Sequence, residues 1–483
     1  MIVSTMLDEK VLSVFEQGRV VVNKGIAHFS EQFRRLPRFV ADYLVASMVD
    51  PQDPVPGLAK MDRLLREHFV ESEQQELVKS LIRENGQHHL IGPLRVRYDQ
   101  GRDMYWAEIP ALGDQYVRID LSLVRTFSES LLMAGAWGKI SVAFDGHFSL
   151  RGKKFPFVVE AFTPLQITKI NVDAWVSARA SFTDDEWIDL LITSIGFDPS
   201  TLRREEKALY LLRLVPFIEP NVNLIELGPP ETGKTFAFRS LSSYGFVVSG
   251  SNTTVASLFY NKARRKMGLV GYRDCILFDE IAHSDFRDER IVAILKDYLN
   301  TGHFGRDTDE FASECSVVFA GNIECDRAAR QVSARCRNLF DPLPEVMGRD
   351  CAFLDRIHGF LPGWCAPQVS ESGLATGVGF MADYLGEIMH QMRSRNYGHI
   401  LLDHVDFNGM GKRSETAITR IASGLLKLVY PHRTSATIQR EELDWVLAEA
   451  VGLRQRVLDQ LAKMAPGEFG RARLSCRLRG VAA

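Results

Sequence analysis

One segment leaves few folds open to this chain: Asn223-Leu-Ile-Glu-Leu-Gly228-Pro-Pro-Glu-Thr-Gly233-Lys234-Thr235-Phe-Ala-Phe238. A short apolar run leads into Gly-x4-Gly-Lys-Thr, and a helix-compatible stretch follows. Strand, glycine loop and helix in that order are the setting a phosphate-binding loop requires. Glycines let the backbone curl so that successive N–H groups face phosphate oxygens, and the helix start adds its positive dipole end. Gly228, Pro229, Pro230, Glu231, Thr232, Gly233, Lys234, Thr235 and Phe236 are therefore the expected nucleotide contacts. Lys234 would reach the β- and γ-phosphates and Thr235 would ligate Mg²⁺, so ATP and Mg²⁺ are the implied cofactors. Further short apolar runs at Phe246–Ser249, Cys275–Phe278 and Ser316–Ala320 alternate with helical stretches across residues 180–365. That alternation predicts a parallel α/β sheet.

The same stretch carries acids and polar residues at the ends of those strands. Asp274-Cys-Ile-Leu-Phe-Asp279-Glu280 is an apolar strand ending in two carboxylates. Asp279 would hold Mg²⁺ through water, and Glu280 would position and polarise the attacking water. Ser316-Val-Val-Phe-Ala-Gly-Asn322 ends in a polar residue where ATPases of the AAA+ class place a sensor, which makes Asn322 a catalytic candidate. Arg356, in Phe353-Leu-Asp-Arg-Ile-His-Gly-Phe360, matches the place where that class presents an arginine finger to a neighbouring subunit, implying an oligomer. Farther on, Arg420 stands on a helix resembling a lid with a second sensor, and Arg413 competes for the role.

Before this core, residues 1–90 read as helices. Residues 91–175 change texture: short β-branched and aromatic runs separated by Gly101, Gly113, Gly146 and Gly152 predict a small antiparallel β-module. The expected organisation is a helical region (1–90), a β-rich module (91–175), an α/β P-loop core (176–370), a helical lid (371–465) and a basic tail (466–483). Composition excludes several classes. With 46% hydrophobic and 25% charged residues, disorder is excluded. A net charge of −3 excludes a globally basic nucleic-acid binder. No apolar run approaches the ~18–20 residues of a membrane span. The seven cysteines form no CxxC pair, and the start lacks a secretory pattern, so the expectation is a cytoplasmic protein with reduced thiols and no membrane partner.

Beyond these motifs, a longer series resembles a known family. The P-loop is followed by Val248-Ser-Gly, Thr253-Thr-Val-Ala-x-Leu-Phe-Tyr-Asn261, Gly268-Leu-Val-Gly271, Lys296-Asp-Tyr298 and Phe353-x-Asp-Arg356-x-His-Gly-Phe-x-Pro-Gly-Trp364. Leu7-Asp-Glu-Lys10, Glu76-Leu-Val-Lys-Ser80 and Tyr105-Trp-Ala-Glu108 extend it towards the N-terminus. Together they resemble the BrxL-type Lon-like AAA+ proteins of bacterial BREX phage-defence systems, with a core similar to the MCM helicases. The resemblance implies an AAA+ P-loop core with a helical lid, in a hexamer or stacked double hexamer. It implies a ring that binds and moves on DNA through a central pore and works with other BREX-type defence proteins. Leu299 to Arg306 sits where MCM proteins carry a pore hairpin, so His303, Phe304 and Arg306 are DNA-contact candidates, as are Arg264 and Arg265 in a basic cluster. From Gly411 to Ala483 there are 13 basic and 7 acidic residues, which makes phosphate tracking there an expectation too. The resemblance also implies a C-terminal Lon-like protease domain, but only about 50 residues follow Pro431, so no proteolysis is expected of this chain. Two other readings stay open: an unfoldase of the Lon/Clp type and a nucleotide-gated scaffold.

Overall fold

A computed structural model describes residues 5–16, 20–26, 36–133, 135–167, 170–249, 254–261, 266–283, 289–306, 309–407, 409–471 and 473–479. The chain divides into two compact units. One comprises residues 15–170 with 380–384, and the other residues 1–14, 171–379 and 385–483.

In the first unit, helix α1 (Arg38–Met48) is followed by α2 (Pro54–His68) and α3 (Gln75–Asn85). The sequence predicts one helix from Lys60 to Asn85 with the prolines as breakers before it. Instead Pro54 opens α2, where its fixed φ and missing N–H cost nothing, and the helix stops at His68. A new start is capped at Glu71 by the backbone and side chain of Gln74, and Gly86 at φ +74° ends α3.

Five strands follow: β1 (Gln87–Asp99), β2 (Met104–Ile109), β3 (Asp114–Ile119), β4 (Ala136–Phe144) and β5 (Phe157–Pro164). They close into a barrel in the order β1-β2-β3-β5-β4. Alternation drives the closure: Leu94, Val96, Ala107, Val117, Ile140 and Val142 all fill the interior. The module is not purely antiparallel as the sequence suggests. β3 and β5 pair in parallel, Arg118 opposite Val158, because two short helices (Leu121–Thr126 and Ser128–Leu132) and β4 intervene.

This unit also buries charge. Lys24 donates to Asp42 at 2.5 Å, both side chains fully enclosed, and Asp42 also accepts from the Ala382 amide at 3.1 Å. Asp383 accepts from the amides of Ile167 (2.6 Å) and Tyr384 (2.9 Å). Burial, with the Asp42 carboxylate adding to it, pushes the Asp383 carboxyl up to about 7. A carboxyl bound more tightly to its proton in the folded chain stabilises the fold most at low pH. Its contribution declines from the unfolded value of about 3.9 up to about 7, and is flat above. The melting temperature of the unsubstituted chain minus that of Asp383→Asn is accordingly expected to be larger at pH 5 than at pH 8. A difference that grows with pH would contradict this.

The second unit is built on helix α4 (Arg204–Ile218) and the parallel strands β6 (Asn223–Leu227), β7 (Gly245–Val248), β8 (Cys275–Phe278), β9 (Ser316–Gly321) and β10 (Gly359–Pro362). Their order is β7-β8-β9-β6-β10. β6, β8, β9 and β10 are buried throughout, as strands covered on both faces must be, and so read as nearly unbroken apolar runs. β10 is a fifth strand beyond the four read from the sequence. Helices α5 (Lys412–Val429) and α6 (Arg440–Met464) pack on α4 and β10 within this unit. They consume part of the basic excess of the C-terminal segment. Lys427 pairs with Glu219 and Arg454 with Asp355, each cation 1% exposed, so these charges are not available for phosphate tracking.

Candidate functional site

The loop from Gly228 to Thr235 leaves the carboxyl end of β6, an interior strand between β9 and β10, and turns into a helix at Lys234. Gly233 caps that helix at φ +72°, and Gly228 lies so close to Gly363 that a Cβ would stand 2.5 Å from its carbonyl carbon. Lys234 is 8% exposed, and its ammonium donates to the carbonyls of Gly228 (2.9 Å) and Pro229 (2.6 Å). Burial lowers its pKa against the opposing pull of Glu226. Thr235 Oγ1 donates to Asp279 Oδ2 at 2.8 Å, joining the loop to the end of β8. Asn322, just past β9, places Oδ1 3.5 Å from the Lys234 ammonium. Glu280 is exposed, holds φ +53°, and its amide donates to Asp279 Oδ1 at 3.0 Å. Positive φ in a residue with a side chain costs of order 1 kcal/mol and collects at functional sites.

Parallel packing explains the convergence. β6, β8 and β9 are neighbours running the same way, so Lys234, Asp279, Glu280 and Asn322 follow their carboxyl ends, the side of an open α/β sheet where ligands bind. Thr235 and Asp279 supply adjacent hard oxygen donors, which suits a Mg²⁺ ion that takes its other ligands from phosphate and water.

Two predicted residues stand elsewhere. Arg420 donates to the Asn221 carbonyl at 2.6 Å, at the amino end of β6, so a full strand separates it from the phosphate loop of its own chain. Within its own chain the guanidinium therefore ties α5 to the sheet and does not reach the loop. Arg356 precedes β10, and the Asn223 side chain donates to its carbonyl at 3.5 Å, so it too lies at the amino edge. Its guanidinium also bonds the Ala352 carbonyl, while Nε is buried without a partner among the described residues. Nearby, Arg413 donates to Asp355 at 2.5 Å.

The DNA-contact candidates fare differently from one another. Phe304, in the hairpin His303–Arg306 and Asp309–Ala312, is 2% exposed and packs against Phe259, Phe311 and Tyr298. Its ring belongs to the core, which corrects its reading as a base-stacking residue. His303 is exposed and bonds the Thr301 carbonyl through Nδ1 at 2.9 Å. The Arg306 backbone pairs with Asp309. Arg264 and Arg265 lie outside the described residues, as does the Arg306 side chain.

A buried pair supports the loop, and sequence reading passed it over. Arg213 on α4 donates from Nε and Nη2 to Glu226 on β6, the latter at 2.6 Å to Oε1, and from Nη1 to the Thr232 carbonyl at 3.0 Å. Burial opposes the guanidinium charge, but the Glu226 carboxylate outweighs it and the pKa is raised. The available signal was a glutamate inside the run Asn-Leu-Ile-Glu-Leu, since a charge on a covered strand requires a partner. Arg327 was missed as well: it donates to the Pro230 carbonyl (3.1 Å) and Gln368 (2.7 Å), and Gln368 in turn donates to Glu231 (2.6 Å).

Sheet and loop together define a mixed α/β protein carrying an ATPase domain. Comparison with known families gives that domain a place. The family model described as "Lon-like protease BrxL-like, ATPase domain" matches residues 157–475. The one described as "BREX system Lon protease-like protein BrxL N-terminal" matches residues 13–144. The chain belongs to the BrxL family. "Lon-like protease BrxL" of Bacillus cereus (strain H3081.97) is 35% identical over 453 residues, 93% of this chain and 66% of the relative. The protein of the same name from Escherichia coli O9:H4 (strain HS) is 35% identical over 456 residues, 94% of this chain and 64% of that one. The chain thus spans just under two thirds of the length of these relatives. A more distant match, "Uncharacterized protein ORF426" of Acidianus filamentous virus 1, is 25% identical over 263 residues, 49% of this chain. No described helix is long and apolar enough to cross a membrane.

Proposed function

We propose that this chain hydrolyses ATP with an AAA+ P-loop core and uses the energy on DNA in a BREX-type phage defence. The observation that carries the reading is the Thr235–Asp279 contact at 2.8 Å beside the enclosed Lys234, which Asn322 approaches to 3.5 Å. The loop amides and Lys234 bind and orient the phosphates. Mg²⁺, held by Thr235 with Asp279 close by, would neutralise charge on the β- and γ-phosphates. Glu280 takes up the proton side of the reaction by orienting a water, and Asn322 fixes the position of that water or of the γ-phosphate. Arg356 lies a strand's length from its own phosphate loop, so its guanidinium acts on the nucleotide of a neighbouring copy, in a ring of such subunits. The choice of DNA rests on the family resemblance and on the local cations.

Lys234→Ala in the full chain is expected to weaken ATP binding by about 100-fold or more, because buried charge–phosphate contacts are lost. ATP turnover of the unsubstituted chain is expected to rise on adding DNA at low salt, where phosphate contacts are strongest. Normal turnover by Lys234→Ala would remove the site. ATPase activity indifferent to DNA, with no DNA bound at low salt, would remove the DNA half alone.

A further inference from the structure

The order β1-β2-β3-β5-β4, closed and with β3 parallel to β5, is the connectivity of the oligonucleotide- and oligosaccharide-binding barrel. In that fold the ligand lies across the second and third strands, between the loop after strand 1 and the loop before strand 5. Here both loops and that face carry the chemistry of one polymer. Arg97, Trp106 and Arg118 are register partners on β1, β2 and β3 and so share the outer face. The Arg97 and Arg102 guanidiniums lie over the Tyr116 ring at 4.4 and 4.9 Å, and Arg118 lies over Phe148 at 4.3 Å. Trp106 is fully buried below this layer, with its indole N–H unpartnered among the described residues. Tyr98 and Tyr105 are the next register pair and so turn to the other side of the sheet, where they stack obliquely at 5.1 Å against the barrel core with Tyr98 48% exposed.

Charge selects between sugar and nucleic acid. Acids on this face are already matched: Glu108 by Arg97 (3.2 Å), Asp99 by Arg102 (2.8 Å) and Asp145 by Arg118 (2.8 Å), while Asp103 accepts from Tyr98 at 2.5 Å. The loop before β5 then adds a hairpin, Ser149–Leu150 paired with Lys153–Lys154, turned by Arg151 at φ +51° and Gly152 at φ +76°. Arg151, Lys153 and Lys154 are exposed and meet no acid among the described residues, and no acidic residue occurs between Gly146 and Phe157. Arg151 also donates to the Gly101 carbonyl at 2.8 Å, tying this hairpin to the loop after β1. A neutral sugar has no use for such an excess; a phosphate chain with bases free to stack does.

We propose that this face of the barrel is a binding site for single-stranded nucleic acid. The hairpin cations track the backbone, and the ring-stacked arginines supply planar surfaces for bases. The choice of polymer rests on the DNA reading above, but the site needs neither ATP nor the phosphate loop.

The test uses the full chain without nucleotide and fluorescein-labelled dT20, rU20 and a 20-base-pair duplex, read by anisotropy. The variant is Arg151→Asn with Lys153→Ser and Lys154→Ser, in which asparagine keeps the left-handed turn. Three lost phosphate contacts at about 0.7 counterions each reduce the salt slope by about 2, or roughly 100-fold in dT20 affinity at 0.1 M salt. ATP turnover without DNA is expected to be unchanged. Equal or better binding of rU20 would identify RNA as the strand's source and leave the site standing. Affinity for dT20 and rU20 within threefold of the unsubstituted chain, or binding of the duplex alone, overturns the proposal. DNA-stimulated ATPase activity with no single-strand binding would overturn the barrel site while leaving the DNA reading intact. Should the variant fold poorly, photo-crosslinking of a 4-thiothymidine oligonucleotide to the unsubstituted chain decides. Label within residues 97–118 or 147–154 supports the site, and label confined elsewhere overturns it.

Discussion

Glu280→Gln is expected to slow ATP turnover by roughly 100- to 10,000-fold, the range a positioned acid–base group supplies, while nucleotide affinity stays within about threefold. The separation follows from where Glu280 stands. It adjoins Asp279, is exposed, and contributes its amide rather than its carboxylate to the Asp279 contact at 3.0 Å. Glutamine keeps the length and the backbone, so the Thr235–Asp279 contact and the Lys234 environment remain as they are. The charge that, in the role proposed for it, orients and polarises water is lost. Phosphate release at saturating ATP, set beside a titration with a fluorescent ATP analogue, measures both halves. Turnover within twofold of the unsubstituted chain would show that another group handles the water. A parallel loss of affinity would mean that Glu280 supports binding rather than chemistry.

The parts of this site that were legible in the sequence are those whose cause is local. A tight strand-to-helix turn needs glycine where φ is positive or backbones touch, and a covered parallel strand must be apolar, so the turn from Gly228 to Thr235 and the strands ending at Phe278 and Gly321 announce themselves. What stayed hidden depends on partners far along the chain. β10 is four residues long, begins with glycine and ends with proline, which suits an edge position but looks like a turn. Barrel closure depends on the parallel pairing of β3 with β5 across an intervening strand and two helices, which no alternation pattern encodes. Phe304 looked available because hairpins usually lie on surfaces, yet its ring fills a cluster with Phe259 and Phe311. The lid resemblance puts Arg420 on a helix but leaves open its end of the sheet, and that helix delivers it to the amino end of β6. An arginine records that it needs a partner but not which end of the sheet provides it.

Arg213→Met is expected to be the most damaging single change outside the phosphate loop itself. The guanidinium and the Glu226 carboxylate are 0% and 1% exposed, and methionine would leave that carboxylate uncompensated in the sheet. Breaking a buried pair in this way costs about 3–5 kcal/mol, which for a unit of this size is a fall of roughly 4–7 °C in melting temperature. The double change Arg213→Met with Glu226→Leu removes both charges, and apolar replacement of a whole pair is often neutral, so most of the lost stability should return. Nucleotide binding should not return with it. Arg213 also donates to the Thr232 carbonyl at 3.0 Å, inside the loop proposed to cradle phosphate, and neither methionine nor leucine can make that bond. Recovery of melting temperature without recovery of ATP affinity therefore assigns Arg213 to shaping the loop, over and above holding α4 to β6. Recovery of both would mean that the loop keeps its shape without help, and that the pair is only the means by which a charge is tolerated in the middle of the sheet.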